Sequence, residues 1–258
     1  MTIKRFHISV PALALAGLLA FAPGSAMAEG SKPEARDWSF HGMFGTYDRG
    51  ALQRGFQVYR EVCAACHSLR FVAYRNLDGI GLGEDQIKAV AAEYEVTDGP
   101  NDEGEMYSRP ARPSDRFVSP FANANAARAS NNGALPPDLS LMAKARKGGP
   151  DYLYALLTGY KEEPPEGFKL AEGMQYNLYF PGNQIAMAPP LSDDAVEYAD
   201  GTKPTLHQLS EDVTVFLNWA AEPELEERKR LGIKVLLFLI VLTAMMYALK
   251  RQVWRDQH

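Results

Sequence analysis

Both cysteines of this 258-residue chain lie in one short motif, Cys63-Ala64-Ala65-Cys66-His67. The spacing C-x-x-C-H is the attachment site of a c-type haem. Two thiols one turn apart each add to a vinyl group at the porphyrin edge, and the next imidazole becomes an axial ligand of the iron. A chain that carries this motif has to build its core around a porphyrin, so the rest of the fold must supply a pocket for it.

Two other roles of a C-x-x-C pair fit this sequence less well. A thioredoxin-like redox pair has no use for the adjacent histidine and lies near a βαβ pattern. A structural zinc site needs a second pair of ligands, and the chain has no further cysteine. One covalently bound haem c is therefore the expected cofactor, and no thiol remains for a disulfide.

Residues 1–28 have the pattern of a signal peptide. Lys4 and Arg5 precede an apolar run that ends at Phe21, and Ala26-Met27-Ala28 has the small-x-small form of a cleavage site. An uncleaved anchor is the alternative, but the apolar run is short for a membrane span. We expect the mature, exported chain to begin at Glu29.

Residues 231–249 predict one transmembrane helix near the C-terminus. These 19 residues carry a single charge, at Lys234, and as a helix they reach about 28 Å, close to the thickness of a hydrocarbon core. Charged residues bracket the run, which disfavours a buried helix of a globular domain. An exported body followed by this helix places a haem domain, residues 29–222, on the periplasmic side of the inner membrane. Residues 223–258 then form an elbow, the membrane helix and a short cytoplasmic tail.

Negative charge is concentrated in one segment. Without Lys4 and Arg5 the formal charge is 25 − 32 = −7, and between residues 84 and 105 a single Lys88 faces eight acidic residues. This acidic cluster consists of Glu84, Asp85, Glu93, Glu95, Asp98, Asp102, Glu103 and Glu105. It is either a solvated face or a docking surface for a basic partner, and so acidic a chain is unsuited to nucleic acid.

Two helices are predicted to frame the haem. Asp48 can cap a helix whose apolar residues from Leu52 to Cys63 recur at spacings of four, three and four. Gly55 lies in that helix, where a missing side chain lets another backbone cross closely.

The expected crossing partner lies late in the chain. Thr205 and Gln208 form a T-x-x-Q capping box, and a stripe of apolar residues predicts a one-faced helix that runs to about Ala221. Pro223 then marks a bend before the membrane helix.

The remaining segments predict short helices and long loops. Helices are expected at 84–94, at 139–147 with Asp138 as the N-cap, and at 151–158 after Pro150, and no alternating strand pattern is visible. Residues 97–137 are rich in proline, and a loop of that length in a compact domain is functional or disordered. The predicted fold class is mainly α: a haem domain with long loop insertions plus one C-terminal transmembrane helix.

A second axial ligand has to come from outside the motif. The candidates are Met106, Met142, Met174, Met187, His41 and His207. Met187 is favoured because small residues flank it and two prolines follow it, which stiffens the backbone. Its thioether would also give a higher potential than a second imidazole. The same pattern is compatible with a methionine that only fills the core.

The chain resembles the cytochrome c1 family, the haem-bearing subunits of quinol–cytochrome c reductase, the cytochrome bc1 complex. The matching stretches are residues 54–59, 63–67, 72–75, 98–101, 104–106, 126–129, 131–140, 156–160, 186–190 and 219–223. The resemblance covers nearly the whole mature chain and implies a class I cytochrome c-like haem domain.

The resemblance also implies roles for single residues. Met187, in the run Met-Ala-Pro-Pro, would be the distal ligand opposite His67, and Arg146 would pair with a haem propionate. Pro137, Tyr152 and Leu156 match positions that line the haem pocket, and ordinary core packing is their alternative role. In some bacterial members an extra cysteine pair cross-links the region around the distal methionine. This chain lacks that pair, so we expect Met187 to be held by packing alone.

The resemblance implies electron transfer from a Rieske iron–sulfur protein to a soluble basic cytochrome c, with cytochrome b as a further partner. The chain would not be an enzyme on its own. A tethered cytochrome that donates to a terminal oxidase is an alternative, but it predicts a long flexible linker, whereas only Glu222-Pro223-Glu224 precedes the anchor. A haem enzyme or gas sensor is another, and it requires an open sixth position.

Overall fold

Helices make up most of the ordered secondary structure. The computed structural model describes residues 30–255, so the expected signal peptide lies outside the described residues. The helices are α1 (Arg49–Glu61), α2 (Glu84–Ala92), α3 (Ala124–Ser130), α4 (Met142–Ala145), α5 (Gly149–Thr158), α6 (Leu206–Ala221) and α7 (Leu225–Trp254). The strands are β1 (Glu95–Asp98), β2 (Tyr107–Pro110), β3 (Tyr160–Lys161), β4 (Gln175–Asn177) and β5 (Gln184–Ile185). The mainly α fold is confirmed.

The part of the described chain that precedes α7 is called the head below. The predicted crossing of α1 and α6 lies at its centre. The Asp48 carboxylate caps α1 by accepting hydrogen bonds from the backbone N–H groups of Gly50 at 2.8 Å and Ala51 at 3.2 Å. Where the helices cross, a Cβ on Gly55 would overlap the carbonyl oxygen of Asp212 and lie 2.8 Å from Cβ of Phe216. The close backbone approach expected at Gly55 is therefore present.

Only half of the expected capping box at α6 is formed. The Thr205 hydroxyl accepts from the Gln208 N–H at 3.2 Å, as predicted. The Gln208 amide does not reach back to Thr205; it donates to Asp212 at 3.1 Å. Asp212 is buried and receives two hydrogen bonds from Arg54 of α1, at 2.9 and 3.0 Å, so the polar contact supports the helix crossing.

The prediction that α6 is one-faced is wrong. Residues 212–220 are buried without interruption, and the buried residues of the helix include four polar ones: Ser210, Asp212, Thr214 and Asn218. The reason is that α1, α4 and α5 all pack against α6. Asn218 donates to the hydroxyl of the buried Tyr47 at 2.9 Å, and Asp212 accepts from Arg54, so these two side chains have protein partners in place of water.

Two small sheets lie where no strands were expected. Within the 97–137 region, β1 pairs antiparallel with β2 so that Glu95 faces Pro110, and α3 follows. A second sheet has the antiparallel order β3–β4–β5. These strands have two to four residues, too few to show a period of two in the sequence.

The short helices agree with the sequence at two of three positions. Helices α2 and α5 lie where they were predicted, and Pro150 occupies the first turn of α5. The helix expected at 139–147 shrinks to the four residues of α4, whose N-cap is Leu141 and not Asp138.

One helix among residues 30–255 is long and apolar enough to cross a membrane. Helix α7 has 30 residues, and its most apolar window has a mean hydropathy of 2.2. It begins two residues after Pro223, at the predicted bend, and is longer at both ends than the predicted 231–249.

Candidate functional site

The C-x-x-C-H motif forms a single tight turn directly after α1. The N–H groups of Cys66 and His67 both donate to the carbonyl oxygen of Cys63, at 3.1 and 2.9 Å. Both thiols are free, with Cys63 half-buried and Cys66 exposed. Burial raises the pKa of the Cys63 thiol to about 12, and Cys63 packs against the hydrophobic core. The turn therefore presents two thiols and one imidazole together.

The imidazole of His67 is held in one orientation. Its Nδ1 lies 2.8 Å from the carbonyl oxygen of Pro137, and because a carbonyl only accepts, Nδ1 must carry the proton. Burial lowers the pKa of His67, although the bond to Pro137 opposes this. The Tyr59 hydroxyl fixes the backbone by donating to the His67 carbonyl at 3.0 Å. A neutral ring with Nε2 left as a lone pair is the form that binds a metal.

Asp138 positions Pro137 instead of capping a helix. Its carboxylate accepts from the Ser68 hydroxyl at 2.7 Å and from the Arg70 N–H at 3.0 Å. Burial would raise its pKa, but these hydrogen bonds outweigh burial and lower it. The backbone N–H of Leu139 also donates to Ser68, at 2.8 Å. Residues 137–139 are thereby tied to the segment that follows the motif, which explains why no helix starts at Asp138.

Met187 lies in a bend two residues beyond β5 and is half-buried. The expectation that packing alone holds it is wrong, because the Tyr160 hydroxyl donates to the Met187 carbonyl at 3.1 Å. Tyr160 belongs to β3, in the same sheet as β5. Burial, with a contribution from Tyr152, raises the pKa of Tyr160, so its hydroxyl stays protonated and remains a donor.

A buried amide braces the same sheet. The Asn177 side chain is fully buried and donates to the Leu156 carbonyl at the end of α5, at 2.8 Å. Its oxygen accepts from the N–H groups of Tyr179 and Phe180, at 3.0 and 3.2 Å. These bonds connect α5 to the turn that leads to β5 and Met187. Nothing in the spacing of the sequence points to Asn177 or Tyr160.

The other predicted pocket residues lie on and just before α5. Tyr152 is buried and Leu156, one turn later, is half-buried on the same side of the helix. Arg146 is exposed between α4 and α5. Burial raises the pKa of the Tyr152 phenol, and the positive charge of Arg146 opposes the rise. Among the predicted residues, His67 is thus bonded to Pro137 beside the two cysteines, Tyr152 and Leu156 share one side of α5, and Met187 is bonded to Tyr160.

Three of the competing ligand candidates have surroundings that disfavour ligation. Met142 is buried in the core, as predicted, while Met106 is 61% exposed. His207 is exposed, and its ring contacts the Tyr154 hydroxyl at 2.7 Å. Nor do residues 30–255 contain a group of three or more His, Cys, Asp or Glu side chains that could hold a metal ion, so a zinc site around the motif has no ligand set.

A family model described as the cytochrome C1 family matches residues 38–257, which is most of the chain. The chain belongs to the cytochrome c1 family.

Individual relatives agree with this assignment. The chain is 52% identical to cytochrome c1 of Rhodospirillum rubrum, over 95% of this chain and 96% of that one. It is 51% identical to the mitochondrial cytochrome b-c1 complex catalytic subunit of Candida albicans, over 89% and 80% of the two chains. It is also 51% identical to cytochrome b/c1 of Bradyrhizobium diazoefficiens, over 89% of this chain and 37% of that one.

Membership in the cytochrome c1 family implies a covalently bound haem c and a role in electron transfer. The residues fit such a group. Both thiols are free and lie on one turn, and the Nδ1–H of His67 is already paired with Pro137, which leaves Nε2 for iron. Cys63 and Ala64 also pack against the hydrophobic core, which suits the apolar face of a porphyrin.

Proposed function

We propose that this protein carries single electrons from a Rieske iron–sulfur protein to a soluble basic cytochrome c, as a subunit of the cytochrome bc1 complex together with cytochrome b. On its own it would be an electron-transfer subunit and not an enzyme. The observation that carries the proposal concerns His67, on the C-x-x-C-H turn of a cytochrome c1 family chain: its Nδ1–H is hydrogen-bonded to the Pro137 carbonyl oxygen. A relative named as a b-c1 complex subunit and another named cytochrome b/c1 support the assembly.

Each pocket residue has a proposed task. Cys63 and Cys66 form the two thioether bonds, while His67 Nε2 and the Met187 thioether supply the axial ligands. Arg146, exposed between α4 and α5, offsets the charge of a propionate. Tyr152, Leu156 and Pro137 line the pocket. The bound haem supplies a one-electron redox centre, and a His–Met ligand pair keeps its potential higher than two histidines would.

The proposed location is the periplasmic side of the inner membrane. Residues 1–28 would be removed after export, residues 29–222 would form the haem domain, and residues 223–258 would contain the single span and the cytoplasmic end. The apolar, exposed surface of α7 supports a span. Family membership supports association with a membrane complex.

The junction between head and anchor favours a complex subunit over a tethered donor to an oxidase. Glu222 pairs with Lys144 at 2.8 Å and with Arg228 at 2.6 Å. Glu226 of α7 accepts from the Tyr47 N–H at 2.9 Å. A donor that must swing to an oxidase needs a flexible linker, whereas these contacts hold the head against α7.

The acidic cluster is partly neutralised within the protein. Lys88 pairs with Glu84 at 2.7 Å and lies 3.8 Å from Asp85. Glu93 pairs with Arg60 at 2.6 Å. Asp98 pairs with Arg109, and Glu95 accepts from the Ser108 hydroxyl at 2.9 Å. Asp102, Glu103 and Glu105 remain exposed between β1 and β2. We propose these three as the docking charges for a basic acceptor.

The test is stopped-flow kinetics on the purified membrane complex. Quinol should reduce the haem of this chain only when the Rieske protein is present, and basic cytochrome c should then oxidise it. We expect Asp102→Asn, Glu103→Gln and Glu105→Gln together to slow oxidation by about three- to tenfold at low salt and to flatten its dependence on ionic strength.

A matched control neutralises three other exposed carboxylates, Glu162, Glu163 and Glu166, and should leave the rate unchanged. A rate in the unmodified complex that does not vary with salt would remove the docking surface. Quinol-driven haem reduction in a complex that lacks the Rieske protein would remove the proposed electron path.

The Tyr160 hydrogen bond gives a prediction about the distal ligand. Tyr160→Phe removes the donor to the Met187 carbonyl and should weaken the hold on the ligand by about 1 kcal/mol, so exogenous imidazole should bind the ferric protein about fivefold more tightly. An optical titration measures this. Tyr107→Phe, at an exposed tyrosine, is the control, and equal affinities in both variants would contradict a positioning role for Tyr160.

A further inference from the structure

The loop formed by residues 41–45 exposes two large apolar side chains. Phe44 is 80% exposed, the highest value among large apolar residues of the described chain, and Met43 is 59% exposed. The residues that flank the loop are buried: Trp38, Phe40 and Tyr47. Both ends of the loop are thus packed into the core, while Met43 and Phe44 in the middle of the loop are exposed.

Helix α7 holds this loop in place. The Lys229 ammonium donates to the carbonyl oxygens of Phe40 at 2.7 Å and Gly45 at 2.9 Å, one on each side of the loop. Just beyond the loop, Glu226 accepts from the Tyr47 N–H at 2.9 Å and pairs with Arg49 at 3.0 Å. The loop is therefore attached to the first turns of α7.

This attachment fixes the height of the loop relative to the membrane. Lys229 precedes Leu231, the first residue of the apolar stretch, by two residues, or about 3 Å along the helix axis. The headgroup zone on each side of a bilayer is roughly 5–8 Å deep. A loop held at Lys229 therefore lies at the level of that zone.

The chemistry of the region suits a lipid surface. Phenylalanine and methionine side chains partition into the boundary between headgroups and acyl chains, and cationic residues attract anionic headgroups. Lys234 is exposed on α7 near this level, whereas Arg228 and Arg230 are paired with Glu222 and Glu226. We propose that residues 41–45 insert Met43 and Phe44 into the lipid headgroup region, as a second contact of the head with the membrane beside α7.

The inference rests on the proposal that α7 spans the membrane, and the experiment separates the two. A nitroxide is attached to Phe44→Cys, Met106→Cys or Leu239→Cys in the complete complex, reconstituted in vesicles of phosphatidylcholine and phosphatidylglycerol. The two cysteines of the motif, bound to haem, do not react with the label. Collision with oxygen, which concentrates in lipid, is compared with collision with a water-soluble nickel chelate.

We expect a several-fold higher ratio of oxygen to nickel collisions at position 44 than at position 106, an exposed apolar site on the β1–β2 hairpin. Position 239, within α7, should give the highest ratio. A label at 44 that is as accessible to nickel as the label at 106 would overturn the inference while leaving the span intact. A label at 44 shielded from both reagents would mean that a protein subunit covers the loop and would also overturn it. A label at 239 open to nickel would instead refute the span.

Discussion

Replacing Gly55 by alanine should strongly destabilise the crossing of α1 and α6. The new Cβ would overlap the Asp212 carbonyl oxygen, a backbone atom that no rotamer change can move, and would also crowd Phe216. Helices α1 and α6 would have to separate, which would disturb the buried Arg54–Asp212 pair. We expect a loss of about 3 kcal/mol or more in the free energy of unfolding.

Thermal unfolding of the detergent-solubilised complex, followed by circular dichroism in the haem absorption band, measures this effect. A loss of 3 kcal/mol corresponds to a midpoint lower by about 6–12 °C for a domain of this size. The yield of haem-loaded protein should fall as well, since the motif turn follows directly from α1.

Gly50→Ala is the matched control on the same helix. There a Cβ would meet only the carboxylate of Asp48 at 3.2 Å and the guanidinium of Arg54 at 3.4 Å, both at the ends of side chains that can shift. Alanine also favours the helix by about 0.5–1 kcal/mol. This variant should unfold near the temperature of the unmodified protein. Equal midpoints for the two variants would mean that the crossing is looser than the structure shows.

The parts of the fold with strong local signals are those that the sequence predicted. Asp48 and Thr205 are caps with short-range hydrogen bonds, Gly55 lies in a periodic helix, and Pro223 marks the bend before α7. Each signal is contained within one or two turns of the chain, so that pattern and structure agree without knowledge of the tertiary contacts.

The support of the distal ligand depends on contacts between distant residues. Asn177 bonds to Leu156 across 21 residues, and Tyr160 bonds to Met187 across 27. The strands involved have two or three residues. No periodicity can reveal such contacts, because the partner is chosen by the fold and not by spacing.

Asp138 and α6 also show that a local sequence pattern cannot reveal tertiary contacts. The carboxylate of Asp138 has the residue type and position of an N-cap, yet it accepts from Ser68 and Arg70, about 70 residues earlier. Helix α6 has an apolar stripe, yet its polar side chains are also buried because three helices surround it. Tertiary contacts overrode a correct local pattern in both cases.

Met187→Leu should keep the covalent haem and change its properties. The thioether bonds depend on the Cys63–Cys66 turn, which is far from Met187 in the sequence. Leucine has nearly the volume of methionine, so the fold should lose less than about 1.5 kcal/mol. Without the thioether the reduced state loses its preferred ligand, and the midpoint potential should fall by on the order of 100 mV or more.

Two measurements test the prediction for Met187→Leu. A redox titration gives the potential, and the absorption spectrum of the reduced protein under carbon monoxide shows whether the sixth position has opened. The unmodified protein should not bind carbon monoxide rapidly, because rapid binding would favour a haem enzyme or gas sensor over an electron carrier. Met187→Leu should bind it readily.

Met142→Leu is the matched control, since it makes the same change at a buried methionine of the core. It should leave both the potential and the carbon monoxide spectrum unchanged. If Met187→Leu also left them unchanged, another residue would hold the sixth position, and Met174, half-buried in the loop before β4, would be the next variant to make. A shift in the control would mean that core packing, and not ligation, sets the potential.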